Sequence, residues 1–109
     1  IPTIELVGHV DAVGWINIEI IAKNFVFTPE NVNGENIAGE GHSHLYINGK
    51  KITRIYNPWF LISKGLFDEG ENTITVELSA NNHDYYVLDG EKIQDTITVM
   101  VGKDIIVTE

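Results

Sequence analysis

Residues 48 and 49 are Asn-Gly, set between two short runs of alternating character, and no other feature of the chain restricts its fold as much. Asn-Gly supplies the two consecutive left-handed residues of a type I′ turn, so residues 42–47 and 51–56 are predicted to pair as a β-hairpin. In the first run, His42, His44 and Tyr46 share one face, and Ser43, Leu45 and Ile47 take the other. Leu45 and Ile47 form the natural core pair, which leaves the two imidazoles on the opposite face. Their Cβ atoms then stand roughly 6.5–7 Å apart, for a rise of about 3.3 Å per residue. Ring nitrogens at that separation can converge on one metal ion without bending the backbone. The plain alternative is a polar, half-exposed strand face, because histidine is a common surface residue as well as the commonest metal ligand.

The rest of the chain repeats this short-strand pattern between turns. Residues 3–7 read as a first strand and residues 11–14 as a turn. Residues 15–23 alternate cleanly, with Ile16, Ile18 and Ile20 on one face and Asn17 and Glu19 on the other. Residues 24–29 are aromatic and then stopped by Pro29. Residues 30–41 form a long polar loop, a length that is often functional. In residues 57–62 the proline argues against a central strand, and the segment reads as a crossing in which Trp59, Phe60 and Leu61 plug one end of the core. Residues 73–79 are the clearest strand, with Ile74, Val76 and Leu78 inward and Thr75 and Glu77 outward. Residues 80–92 form a second long loop that turns at Asp89-Gly90. Residues 94–101 and 105–107 close the chain as strands. The expected fold is an all-β, immunoglobulin- or cupredoxin-like antiparallel β-sandwich of about seven to eight strands, in one domain spanning residues 1–109.

Composition narrows the function. Sixteen acids against seven bases give a formal net charge of −9, which disfavours nucleic acid and anionic membrane surfaces as partners. There is no cysteine, so disulfides, thiolate zinc sites, thiol catalysis and a blue-copper electron-transfer centre are all excluded. No run approaches the about 20 apolar residues of a membrane span, and no signal peptide is visible. The sequence opens at Ile1-Pro2 without an initiator Met, which reads as a processed chain or an excised domain.

His83 follows the strand at residues 73–79, and His42 opens its own strand. If those two strands are antiparallel, His42, His44 and His83 meet at one pole of the sandwich. Three neutral imidazoles suit copper or zinc, with water or Asp84 at a fourth position. The ordinary role for His83 is that of a loop cap. His9 reads as a surface residue beside Asp11, and Met100, Trp15 and Trp59 read as core. Tyr46, Tyr56, Tyr85 and Tyr86 are candidates to shield a metal. Glu35, Glu40, Asp68, Glu69 and Glu71 are able to attract a cation, or simply to solvate a surface. Catalysis has little support. Ser43 and Ser79 lack a nucleophile-elbow context, no phosphate loop or His-Glu-x-x-His is present, and a histidine brace would need an N-terminal histidine.

The stretch Gly41-His42-Ser43-His44-Leu45-Tyr46-Ile47-Asn48-Gly49, with Tyr56-Asn57-Pro58-Trp59 and Asn81-Asn82-His83, resembles a group of small secreted bacterial and archaeal β-sandwich proteins. These carry a Gly-His-x-His-Leu-Tyr hairpin and a later Asn-x-His. Residues 24–32 resemble the same group, and the similarity covers most of residues 15–92. In outline such proteins are similar to cupredoxin-like and copper-carrier sandwiches of the cell envelope. The resemblance implies extracytoplasmic copper binding, periplasmic or secreted, through His42, His44 and His83, with a copper-handling protein as partner. The missing cysteine sets the chain apart from true cupredoxins and points to storage, delivery or sensing. The competing expectations are a metal-free cell-surface interaction module and, more weakly, a small metal-dependent enzyme.

Overall fold

The structure is a computed structural model describing residues 1–109. It contains eleven strands and two single-turn 3₁₀ helices, at Pro29–Asn31 and Lys64–Leu66. Strands β1 (Thr3–Val10), β2 (Ile16–Lys23) and β6 (Trp59–Ile62) form a three-stranded antiparallel sheet in the order β1-β2-β6. The second sheet has the order β11 (Ile105–Thr108), β10 (Gln94–Val101), β7 (Gly70–Ser79), β4 (Glu40–Ile47). On the far edge of β4 lie β5 (Lys50–Ile55), antiparallel, and the two-residue β3 (Val26–Phe27), parallel. A small hairpin of β8 (Val87–Leu88) and β9 (Glu91–Lys92) sits within the β7–β10 connection. No helix is long and apolar enough to cross a membrane.

Alternation explains how the two sheets meet. Leu6, Ile16, Ile18, Ile20 and Ile62 from the first sheet pack against Leu45, Ile47, Ile55, Ile74, Val76, Ile97 and Val99 from the second. Each of the longer strands thus gives one face to a shared core, the arrangement of a sandwich. The all-β expectation holds. The strand count exceeds seven to eight because three of the eleven, β3, β8 and β9, are two-residue ladders, too short for any periodicity to register. The β3–β4 pair also departs from a purely antiparallel pattern.

The Asn48-Gly49 turn forms as its chemistry requires, with φ of 53° and 79°. Asn48 does more than turn the chain. Its Oδ1 accepts from Thr73 N, and its Nδ2 donates to Oδ1 of the fully buried Asn72. The hairpin is thereby tied to β7 as well as to itself.

Some core assignments need correction. Residues 59–62 are an edge strand and not a crossing plug: Phe60 and Ile62 face the core, while Trp59 is 52% exposed and Leu61 is also exposed. Trp15 and Met100 are also exposed, not core. In each case the adjacent residue already takes the inner face (Ile16, Phe60 or Val99), so the period-2 pleat turns the larger side chain outward.

Candidate metal centre

Strand β4 is buried on both faces from Gly41 to Leu45. The core side takes Ser43 and Leu45. The outer side carries His42 and His44, which are 1% and 3% exposed. Antiparallel pairing with β7 sets His42 opposite Ser79 and His44 opposite Glu77. β4 therefore begins at the pole where β7 ends, and the turn that follows β7 brings in His83. Hydrogen bonds from Ala80 N to Asp84 O and from His83 N to Ala80 O close that turn. His83 sits in it at φ 72°, a left-handed conformation in which histidine is enriched.

The close approach of β4 and β7 depends on Gly41. A Cβ there would lie 1.8 Å from Ser79 O. Asn81 anchors the same corner from inside. It is fully buried, accepts from Thr28 Oγ1, and donates to Glu35 O and to Glu40 Oε1. Tyr86 adds a bond from its hydroxyl to Glu40 O. The two long loops are thus joined to each other beside the histidines.

One ligand atom from each of His42, His44 and His83 lies within 4.8 Å of the others, so the cluster can hold a metal ion. Donors around a tetrahedral ion at about 2.0–2.1 Å would stand roughly 3.3 Å apart. Ring centroids are 5.0 Å apart for His42–His44, 4.9 Å for His42–His83 and 6.1 Å for His44–His83. The ring of Tyr56 stands 5.9 Å from His42.

Hydrogen bonding sorts the ring nitrogens. His44 Nδ1–H donates to Glu77 Oε1 at 3.1 Å, which leaves Nε2 with its lone pair. The same oxygen accepts from the Tyr46 hydroxyl at 2.9 Å, and Lys92 Nζ is 3.6 Å from Oε2. His83 Nε2–H donates to Asn33 Oδ1, which leaves its Nδ1 available. Three buried ring nitrogens have no hydrogen-bond partner in the protein: both of His42 and Nε2 of His44. Native interiors rarely leave such groups unmet, and each costs about 1–3 kcal/mol. A shared cation would satisfy Nε2 of His44 and one nitrogen of His42.

No family model, no curated protein and no solved structure matches the chain.

Electrostatics favours neutral donors. Burial pushes the His42 pKa down from 6.5 to about 4, reinforced by His44, His83, Arg54 and Lys51. Burial also holds His44 below the ordinary imidazole range, with the bond to Glu77 pulling the other way. Neutral imidazoles are the form a metal ion requires. Burial and the bond to Glu77 push the Tyr46 phenol up to about 12.

Glu77 is the participant that sequence reasoning missed. Its outward direction was read correctly, but the residue is 2% exposed, not solvated. The segment after β7 folds back along the outer face, pairing Tyr85 with Ser79 and setting Lys92 over the Tyr85 ring at 3.9 Å. Only the β4–β7 register could have revealed Glu77. Asp84 does not join the cluster: it is exposed, and its Oδ2 accepts from Asn82 Nδ2 within its own turn. His9 lies at the surface, 3.2 Å from Glu19 and stacked on Trp59. Glu35, Asp68, Glu69 and Glu71 are absent from the cluster, and the Glu40 carboxylate is taken up by Asn31 and Asn81.

Proposed function

We propose that the protein binds one copper ion through His42, His44 and His83, and that it handles copper outside the cytoplasm rather than catalysing a reaction. The observation that carries this reading is the set of buried ring nitrogens left without partners at the one place where three histidines converge. The carboxylate behind His44 supports it, since metal-bound histidines commonly donate their second N–H to such a group. Copper is preferred to zinc because nitrogen sites bind Cu(II) more tightly than Zn(II). The extracytoplasmic setting follows from the resemblance of the hairpin and the Asn-x-His stretch to secreted copper-carrier sandwiches. Storage, delivery or sensing fits a site without sulfur, with a copper-handling protein as partner. When bound, the ion would supply a Lewis-acidic, redox-capable centre. Burial holds His42 and His44 neutral and shields them from water.

The test is a titration of metal-stripped protein with Cu(II) and Zn(II), read by calorimetry and electron paramagnetic resonance. The expected result is a one-to-one copper complex with several nitrogen couplings, tighter than the zinc complex. Binding no tighter than about millimolar, roughly −4 kcal/mol, would overturn the proposal. The second reading is a metal-free interaction module, favoured by the exposed Trp59 and Leu61 on the outer face of the three-stranded sheet. Partner binding that persists in EDTA, in protein purified without metal, would select it.

A further inference from the structure

Three imidazoles bring no negative charge to a divalent ion. Glu77 lies behind His44, where it is already engaged by the Tyr46 hydroxyl and faced by Lys92. Positive charge also stands on that face. Pairing of β4 with β5 sets Arg54 opposite His44 and Lys51 opposite Tyr46. Residues opposite one another in an antiparallel ladder share a face, so both cations stand on the same side of the sheet as the donors. Arg54 Nη1 donates to the Tyr56 hydroxyl at 3.4 Å, and the Tyr56 ring is the aromatic neighbour of His42. Three of the chain's seven basic residues, Lys50, Lys51 and Arg54, fall within residues 50–54 of a protein with net charge −9.

A divalent ion beside two cations is repelled by them. Charged residues on an edge strand commonly serve to block unwanted pairing, but that role needs no cation on the face that holds the histidines. An anion bound together with the metal removes the conflict. It supplies the charge that the imidazoles lack, and it gives Arg54 and Lys51 a partner. The planar guanidinium fork matches a carboxylate in two parallel hydrogen bonds.

We propose that a small-molecule carboxylate completes the coordination of the ion held by His42, His44 and His83, with Arg54 and Lys51 as its counter-charges. This rests on the metal reading above. The two sites are thermodynamically coupled, so the carboxylate binds the metal-loaded protein and raises its apparent metal affinity.

The experiment loads the metal-stripped chain with one equivalent of Cu(II) in a non-coordinating buffer, then adds acetate, with chloride at the same ionic strength as the control. Wild-type protein is expected to change its electron paramagnetic resonance spectrum with acetate and not with chloride. The double variant Lys51→Gln/Arg54→Gln is expected to bind copper one-to-one and acetate about tenfold or more weakly, the scale of a lost charge-assisted hydrogen bond. Both positions are exposed, and circular dichroism checks that the variant is folded. One-to-one copper binding with no response to acetate, an equal response to chloride, or undiminished acetate binding in the variant would overturn this inference and leave the metal site standing. Failure to bind copper at all would overturn the metal reading, and this inference with it.

Discussion

His44 is held at both ends, by its strand and by Glu77, and that makes it the most informative single residue. Replacing His44 with Ala removes a donor and also takes one of its three partners from the Glu77 carboxylate, which keeps the Tyr46 hydroxyl and Lys92. We expect its metal affinity to fall by more than the 10–100-fold typical of losing a supporting partner. Glu77→Gln keeps the shape and should fall within that 10–100-fold range, with altered copper hyperfine couplings, because His44 loses its anionic acceptor. Competition titration against a chelator measures both. Equal affinities for Glu77→Gln and wild type would remove Glu77 from the site. The contrast matters because His42, with neither nitrogen partnered, depends on burial alone, whereas His44 is oriented by a hydrogen bond.

At the scale of elements, the site is a product of how β4 meets β7. The two strands approach at Gly41 more closely than any side chain allows. Gly41→Ala must either push Ser79 away or shift β4, and overpacking of this kind costs about 1–3 kcal/mol, more where backbone cannot yield. Urea unfolding should show that loss. Copper affinity should fall with it, since Ser79 leads directly into the turn carrying His83. Wild-type stability in Gly41→Ala would mean that the strands are not packed this tightly. The outer face also shows why alternation alone misleads. Thr75 and Glu77 leave the core together, yet only Glu77 is covered, because the segment carrying Tyr85 and Lys92 folds over the end of β7 and not over its middle.

For the whole molecule, the buried histidines couple stability to pH and to metal. The folded His42 pKa of about 4 lies below its ordinary 6.5. Between those values the unfolded chain binds a proton that the folded chain refuses, so stability falls as the pH drops from 6.5 towards 4 and levels off below. The full effect for the metal-free protein is on the order of 3 kcal/mol, and His44 acts in the same direction. Urea midpoints at pH 7, 5.5 and 4 should decline in that order, and a flat profile would contradict burial of neutral His42. Metal acts oppositely. Copper at about 100 times its dissociation constant adds about 2.7 kcal/mol, a rise in Tm on the order of 10 °C for a domain of this size. EDTA should reverse the rise, and a Tm indifferent to copper would count against the site.

What the amino-acid sequence determined by itself was local: the all-β class, the Asn48-Gly49 turn, the inward Ile16, Ile18, Ile20, Ile74 and Val76, and the shared face of His42 and His44. Each follows from a period of two or from a turn chemistry that acts over a few residues. The nomination of His83 needed one further assumption, that its strand runs antiparallel to β4, and the pairing meets it. Tertiary structure decided the rest. Glu77 stands opposite His44, Asn81 ties two loops together, and Arg54 shares the donors' face only because register and loop closure set residues 30 or more positions apart against one another, or place a hairpin partner on a given side. Trp15, Trp59 and Met100 turned outward for the same reason. A sandwich has only so much inner face, and alternation gives it to whichever neighbour the register points inward.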